Sequence, residues 1–344
     1  MRTLKEIGEF SLIKKIYSRF KNMKGHGVCH GIGDDAAVVM WKKKKSLILT
    51  TDTLVEGIHF DCRWDTWQDI GYKALALSLS DLAAMGGGEP KWVLLNLALP
   101  VDKLEKDVDN FFRGVTYIAR EYKVRIIGGD TVSSPKNSVI TLTLAGEISS
   151  KQVILRSGAR VGDKILVTGP FGDSAAGLDI LKRGIRDQLF DAEKLIRKHL
   201  RPEPRIKEAG IISRRKLATA MIDSSDGLDY SLKFICQESK KGARINVEAI
   251  PLSSTLCRYS LLVDAPALSF ALYGGEDLEL VFTVSSRKAK EVLKALPRTR
   301  VIGEIIDTPR RVIYQNRNGK RVTIAGHGYE HFKDSKLQEF YIKG

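Results

Sequence analysis

Five short motifs carry aspartates at the ends of apolar runs, in a chain whose formal net charge is +15. They are GIGDD (31–35), TTD (50–52), SLSD (78–81), GGD (128–130) and DSSD (223–226). Carboxylates that crowd together cannot all stay ionised unless cations neutralise them. Because Mg²⁺ prefers oxygen ligands and commonly accompanies phosphate, the motifs predict a site with several Mg²⁺ ions that handles phosphate groups.

The apolar pattern over residues 66–85 predicts a helix that ends at three glycines, 86–88. Spacings of three and four residues place Asp81 on one face with small and apolar residues such as Ala74 and Leu77. Its carboxylate should therefore point toward the interior, where an unpaired charge is costly. A metal ligand and an aspartate paired with a lysine or with backbone N–H groups both fit; the other motifs favour the ligand.

The run SLILTTD predicts a strand in which Thr50 and Asp52 share one side and Thr51 lies on the other. Hydroxyls beside a carboxylate at a strand end suit a hard cation, although threonine and aspartate also favour caps and turns. Of the adjacent Asp34 and Asp35, only one should face the site, because neighbouring side chains of an extended segment point to opposite faces.

Glycines accompany acids in two further segments. Val124 to Ile127 is predicted to be a strand that ends at the GGD motif, where glycines could admit a phosphate or simply form a tight turn. The segment DSSDGL follows a strand and opens a helix, so its acids could bind metal or cap the helix. The glycine turn GGED at 274–277 carries the same two alternatives.

The chain has 344 residues, which is longer than a single hydrophobic core usually supports, so two domains are expected. The strand pattern restarts near residue 150, so the predicted domains are 1–149 and 150–344. No apolar run is long enough to span a membrane, and the first residues resemble one amphipathic helix and lack the features of a signal peptide. The four cysteines form no CxxC motif. We therefore expect a cytoplasmic protein with no membrane partner.

The excess of basic residues raises the alternative of a nucleic-acid-binding protein. Lysines and arginines are dispersed, however, and the one dense run, Lys42 to Lys45, lies where a hairpin turn is expected. We therefore expect no nucleic-acid partner. The chain also lacks the GxxxxGK[ST] motif of P-loop enzymes and the HRD and DFG motifs of protein kinases.

Taken in order, the motifs make the chain resemble thiamine-monophosphate kinases. The shared segments are GEFSLI, GIGDDAAV, TTDTLVEGIHF, KALALSLSDLAAMG, IIGGDT, RSGARVGD, GDSAAGL, KHLRPEPR, IDSSDGL, GGEDLEL and GYEHF. The wider superfamily includes aminoimidazole ribonucleotide and selenophosphate synthetases. The resemblance implies a two-domain α/β fold, with an N-terminal mixed sheet that binds ATP and Mg²⁺ and dimerises, and a C-terminal α/β domain that completes the site.

The resemblance also implies ATP-dependent phosphorylation of thiamine monophosphate to thiamine diphosphate, assisted by several Mg²⁺ ions, in a homodimer. The implied metal ligands are Asp35, Thr50, Thr51, Asp52, Asp81, Asp130, Asp223 and Asp226. The implied ATP contacts are Gly129, Asp130, Arg156 and Ser225, and the implied substrate contacts are His59, Glu276 and Tyr329. No residue is expected to act as a nucleophile.

Three positions depart from the family pattern. Ser224 replaces an apolar residue, Leu278 replaces an aromatic residue, and Ser78 replaces an asparagine. None of these changes removes an implied metal ligand. An alternative within the superfamily is another ATP-dependent synthetase, for which thiamine monophosphate would be inert.

Overall fold

The computed structural model describes residues 3–20, 25, 27–185, 191–323, 326 and 330–332. Two six-stranded mixed sheets, each with its own helices, follow one another along the chain. The predicted two-domain α/β fold is thereby confirmed. Tyr329, a predicted substrate contact, lies outside the described residues. Among the described helices, none combines the length and the apolar character that crossing a membrane requires.

The first sheet has the strand order β1-β2-β3-β6-β4-β5, and only β4 and β5 run parallel. Its strands are β1 (Val28–His30), β2 (Ala37–Lys42), β3 (Lys45–Val55), β4 (Glu89–Pro100), β5 (Arg125–Ser134) and β6 (Val139–Ser149). The helices of this half are α1 (Leu4–Ile7), α2 (Glu9–Phe20), α3 (Trp67–Ala84) and α4 (Glu105–Tyr122).

The second sheet has the order β12-β9-β11-β7-β10-β8, and only β12 and β9 run parallel. Its strands are β7 (Lys164–Val167), β8 (Ala218–Asp223), β9 (Gly242–Asn246), β10 (Leu280–Val284), β11 (Arg300–Ile306) and β12 (Val312–Gln315). The helices are α5 (Asp173–Arg183), α6 (Ala192–Leu200), α7 (Ile206–Arg214), α8 (Leu228–Ser239), α9 (Ser254–Leu262), α10 (Ala267–Tyr273) and α11 (Ala289–Ala295), with a 3₁₀ turn at Val247–Ala249.

Helix α3 lies at the centre of the molecule because nearly all of its residues are buried. Its N-cap is Thr66, whose hydroxyl accepts a hydrogen bond from the N–H of Asp69, and its C-cap is Met85. The helix contacts β3 and β6 of the first sheet, and also β8 and α7 of the second half. The boundaries predicted from the apolar pattern are thus confirmed, and the helix can carry side chains to both sheets.

Two expectations about local structure are wrong. The N-terminal amphipathic segment is broken between α1 and α2 at Gly8, whose φ of 70° lies outside the range of a right-handed helix. The strand predicted to end at the GGD motif instead continues to Ser134. Gly129 allows this continuation, since a Cβ there would lie 1.7 Å from the carbonyl oxygen of Leu95 on β4. The glycine thus permits close strand pairing.

The contact of α3 with α4 yields a stability prediction. A Cβ at Gly114 would lie 1.9 Å from the carbonyl oxygen of Gln68. In an open helix a glycine-to-alanine change stabilises by up to about 1 kcal/mol. Here we expect Gly114→Ala to destabilise the protein by about 2 kcal/mol or more, because the helices must separate. Chemical denaturation measures the change.

The matched control is Asp109→Ala, an exposed position of the same helix. Its effect should stay within about 0.5 kcal/mol. A neutral or stabilising effect of Gly114→Ala would contradict the close helix packing.

Candidate functional site

Three aspartates from three different motifs meet between the two sheets. Oxygen atoms of Asp35, Asp81 and Asp223 all lie within 4.8 Å of one another. Asp35 precedes β2, Asp81 lies in the last turn of α3, and Asp223 ends β8 of the second sheet. Both halves of the molecule therefore contribute to this acid cluster.

The acid cluster is electrostatically strained in the absence of a cation. Burial raises the pKa of Asp223 to about 8, and the neighbouring Asp35 carboxylate raises it too. Burial also raises the pKa of Asp81 well above its usual range, with further contributions from Asp52 and Asp223. At neutral pH these groups cannot all be ionised together unless positive charge joins them.

Hydroxyl groups fix the orientation of the buried carboxylates. Thr50 on β3 donates a hydrogen bond to Asp81. From α3, Ser78 donates to Asp52 at 2.7 Å and Ser80 donates to Asp223 at 2.6 Å. Thr50 and Asp52 face α3 together, as the alternation along the strand predicts. The hydroxyls hold the acids in place without neutralising their charge.

The oxygen atoms of this region fit a hard divalent cation. The Asp35 side chain is 1% exposed, and its Oδ2 accepts no hydrogen bond from the described residues. The hydroxyl of Ser224, next to Asp223, is likewise buried without a hydrogen-bond partner among them. A buried oxygen with no partner is costly, and a metal ion would satisfy it. Carboxylate and hydroxyl oxygens are the ligands that Mg²⁺ prefers.

Arg156 places one fixed positive charge beside the acid cluster. Its Nε lies 3.1 Å from Oδ1 of Asp35, and its backbone N–H donates to Asp34. The guanidinium carbon stands 5.2 Å from the ring centre of Phe234. Asp35 therefore faces the cluster while Asp34 accepts from the backbone, as expected for neighbouring side chains.

The DSSD and GGED segments are tied together through their backbones. The N–H of Glu276 donates to the carbonyl oxygen of Ser225 at 2.7 Å, and that of Leu278 donates to Ser224 at 3.1 Å. A Cβ at Gly275 would lie 2.4 Å from the Ser225 oxygen, so only glycine fits there. Glu276 and Leu278 have φ values of 64° and 52°, which side chains disfavour. Strained backbone of this kind often occurs in ligand-binding segments.

Glu276 contacts two buried residues that the sequence analysis did not identify. Nζ of Lys73 lies 2.6 Å from Oε2 of Glu276, and Nδ1 of His199 lies 3.4 Å from the same oxygen. Lys73 interrupts the apolar run of α3, and a lysine in such a run is rarely buried unless paired. That signal could have identified Lys73, whereas nothing in the sequence links His199 to Glu276.

His59 is a neutral, half-buried histidine at the turn after β3. Burial lowers its pKa to about 4, and the nearby His331 and Lys73 lower it as well. The N–H of Val55 donates to its Nδ1 at 3.0 Å, which leaves the proton of the neutral ring on Nε2. His59 can therefore donate a hydrogen bond from Nε2, and it carries no charge at neutral pH.

The remaining predicted ligands lie at different distances from the acid cluster. Burial raises the pKa of Asp226 to about 7, and the nearby Glu9 carboxylate contributes to the rise. Thr51 lies on the opposite face of the sheet and pairs with Thr143. Asp130, with Gly129, lies on the exposed strand β5, where it accepts a hydrogen bond from the N–H of Thr131. The structure does not bring Thr51 or Asp130 to the cluster.

Comparison with known protein families covers most of the chain. Residues 33–148 match the family model described as AIR synthase related protein, N-terminal domain. Residues 160–315 match the model for the C-terminal domain of the same family. Each match falls on one of the two sheets.

The chain is also similar to characterised proteins over nearly its full length. It is 41% identical to thiamine-monophosphate kinase of Salmonella typhimurium, covering 94% of this chain and 98% of the relative. A solved structure described as AaThiL complexed with AMPPCP and TMP is 35% identical, with a TM-score of 0.84 and coverage of 96% and 99%. The crystal structure of the Aquifex aeolicus thiamine monophosphate kinase is 34% identical, with a TM-score of 0.80 and coverage of 94% and 100%.

The raised carboxyl pKa values predict how Mg²⁺ should affect stability. In the cation-free fold, Asp223 and Asp226 keep protons that the unfolded chain has lost above about pH 4. Cation-free stability should therefore fall as pH rises from about 4 to 8. Mg²⁺ binds the ionised forms, so we expect saturating Mg²⁺ to raise Tm more at pH 8 than at pH 6. The difference should be about 3 °C or more, measured against EDTA.

Asp223→Asn should lose most of this Mg²⁺ effect. Asp307→Asn changes an exposed aspartate whose side chain is 75% exposed, and it should keep the effect. Equal Mg²⁺ stabilisation at both pH values, or in both variants, would contradict cation binding at the acid cluster.

Proposed function

This chain belongs to the thiamine-monophosphate kinase family, and from that membership we propose that it transfers the γ-phosphoryl group of ATP to thiamine monophosphate. The product is thiamine diphosphate. The observation that carries the proposal is the buried acid cluster of Asp35, Asp81 and Asp223, which both halves of the molecule build together. A cluster of acids with unsatisfied oxygens suits a reaction between two phosphates better than it suits nucleophilic catalysis.

The acceptor needs little activation. Thiamine monophosphate is a phosphate monoester with a second pKa of about 6, so it is mostly ionised at neutral pH. No strong general base is required, and the neutral His59 is not assigned that role. The difficulty is to align two anionic groups that repel each other, which is a problem of positioning and charge.

We propose that Mg²⁺ ions bind at this site. The proposed ligands near the acid cluster are Asp35, Thr50, Asp52, Asp81, Asp223 and Asp226. Thr51 and Asp130 lie away from the cluster, so their proposed Mg²⁺ contacts would form at a separate position. When bound, Mg²⁺ neutralises and orients the phosphate oxygens. Thr50, Ser78 and Ser80 hold the carboxylates of Asp81, Asp52 and Asp223 in place, so the ligand oxygens need little rearrangement when cations and substrates arrive.

For ATP, we propose contacts with Gly129, Asp130, Arg156 and Ser225. Arg156 already stands beside Asp35, so a phosphate that approaches the acid cluster meets a guanidinium with hydrogen-bond donors in a fixed plane. Ser225, within the DSSD segment, is exposed and therefore accessible to a ligand. For thiamine monophosphate, we propose contacts with His59, Glu276 and Tyr329.

We further propose that two chains form a homodimer through the first sheet. Strand β5 is an edge strand that is exposed over nearly its whole length, and Ile127 and Val132 on it are 59% and 53% exposed. An exposed apolar edge strand favours pairing with another chain. Gly129 and Asp130 lie on the same strand, so their proposed contacts would form at the interface. We also propose a cytoplasmic location, which the four unpaired cysteines support.

The reaction is tested by following ADP release and product formation with ATP and Mg²⁺. We expect thiamine diphosphate with thiamine monophosphate as acceptor, and no product in the controls with free thiamine or without acceptor. ATP turnover without thiamine diphosphate would instead assign the chain to a sister synthetase of the superfamily. The absence of any ATP turnover would overturn the proposal.

The site assignment is tested by Asp52→Asn and Asp130→Asn, with the exposed Asp307→Asn as the matched control. Each site variant should lower kcat by at least about 100-fold, because a charge that positions the phosphates is lost. The control should keep full activity. Full activity in both site variants would refute the assigned ligands.

The oligomeric state gives a separate prediction. Light scattering should show a dimer for the parent chain, and Ile127→Asp/Val132→Asp should be monomeric, because each partner would bury unpaired charges. Val161→Asp is the matched control, since Val161 is also 53% exposed but lies in the other half of the chain. A parent monomer, or a double variant that still forms a dimer, would contradict pairing through β5.

A further inference from the structure

Lys73 is a buried cation that the proposed reaction does not yet use. It lies in the second turn of α3, and its side chain is 2% exposed. The residues on either side, from Asp69 to Ala76, are all buried. A lysine in such surroundings is costly unless it is paired and hydrogen-bonded. Its partners therefore indicate why it is there.

Lys73 forms a compact network with Glu276 and His199. Its Nζ lies 2.6 Å from Oε2 of Glu276 and 3.5 Å from Nε2 of His199. Nδ1 of His199 lies 3.4 Å from the same glutamate oxygen and 3.3 Å from the hydroxyl of Ser174. Two separate segments, carrying Lys73 and His199, thus converge on one oxygen of the Glu276 carboxylate.

The protonation of His199 follows from its surroundings. Burial, and next the charge of Lys73, lower its pKa well below the usual range, so the ring is neutral. Because Lys73 can only donate, Nε2 accepts from it and the ring proton is on Nδ1. The protonated Nδ1 of His199 then hydrogen-bonds the Ser174 hydroxyl and also faces Oε2 of Glu276 at 3.4 Å, so both groups beside Oε2 present an N–H.

The other oxygen of Glu276 has a different environment. Within the part of the chain that the structure describes, no group donates a hydrogen bond to Oε1, and the side chain is 23% exposed. The backbone of Glu276 is held in the left-handed region by the hydrogen bond to Ser225. Oε2 of Glu276 is therefore held by Lys73 and His199, while Oε1 remains accessible to a ligand.

Helix α3 connects this network to the acid cluster. Lys73 and Ser80 are seven residues apart, so they lie on one face of the helix about 10 Å apart along its axis. Lys73 binds Glu276, and Ser80 binds Asp223. A single helix of the first half thus fixes the spacing between Glu276 and Asp223, which both belong to the second half.

We propose that Lys73 and His199 are positioning residues that act through Glu276 to orient the ring end of the acceptor. The inference rests on the proposed function. The acceptor class is a molecule with a phosphate at one end and a cationic, hydrogen-bond-donating heteroaromatic system at the other. Lys73 and His199 hold Oε2 so that Oε1 faces that ring system, while the acid cluster and its cations take the phosphate.

The test compares steady-state kinetics of Lys73→Met with the parent enzyme. We expect KM for thiamine monophosphate to rise at least tenfold, with KM for ATP changed less than twofold. A loss of fold would instead lower kcat and Tm without separating the two substrates. Lys164→Met is the matched control, because it removes a lysine from a surface ion pair with Glu304, 3.0 Å away, and should leave both KM values unchanged.

A double variant shows whether Lys73 acts through Glu276. Glu276→Gln alone should raise KM for thiamine monophosphate, and Lys73→Met/Glu276→Gln should raise it no further. This double variant leaves no unpaired charge buried at the site. It can therefore be used to test the proposal if Lys73→Met fails to fold. Additive effects would overturn the proposal, because they would mean that Lys73 acts elsewhere.

The outcomes separate this inference from the reaction itself. If the parent enzyme does not phosphorylate thiamine monophosphate, the proposed function fails. If the parent is active and Lys73→Met keeps its KM for thiamine monophosphate, or raises both KM values equally, only the positioning role is overturned.

Discussion

The repulsion between buried carboxylates is the constraint on which the rest of this structure depends. Asp35, Asp81 and Asp223 reach one point from separate motifs, and burial makes their charges costly. The surrounding hydroxyls orient the acids but cannot neutralise them, and Arg156 supplies one positive charge. The charge balance is complete only when cations bind. Under the proposed function, stability and phosphate chemistry would draw on the same ions, and these ions would satisfy the buried oxygens of Asp35 and Ser224.

Helix α3 connects the site residues of the two halves of the molecule. Because it is buried on nearly every side, its polar residues must meet polar partners, and Ser78, Ser80 and Lys73 find theirs in the site. Ser78 reaches the first half, while Ser80 and Lys73 reach the second. The close packing at Gly71 and Gly114 fixes the helix against α4. A small shift of α3 would disturb the acid cluster and the Glu276 network together.

The sequence predicted those parts of the site that depend on local periodicity. The helix from Trp67 to Ala84 and the pairing of Thr50 with Asp52 on one face follow from spacings of three to four and of two residues. The continuation of β5 through its glycines was missed, because the same glycines fit a turn and only the contact with Leu95 decides. The network of Lys73, His199 and Glu276 joins three segments that are far apart in the sequence, so no local pattern could reveal the network as a whole.

The two ends of the proposed acceptor site discriminate in different ways. Near the acid cluster, Arg156 already pairs with Asp35, so it would be shared with the proposed incoming phosphate, and binding there would depend on the cations. At Glu276 the positive charge of Lys73 is already paired with Oε2, which His199 also faces. Only Oε1 remains for a ligand. A molecule that reaches one end alone leaves the polar groups of the other unsatisfied. Sites built to hydrogen-bond a group reject ligands that lack it far more strongly than apolar pockets do. If the proposed acceptor site is correct, selectivity for an acceptor with both a phosphate and a cationic ring would follow from the fixed spacing along α3.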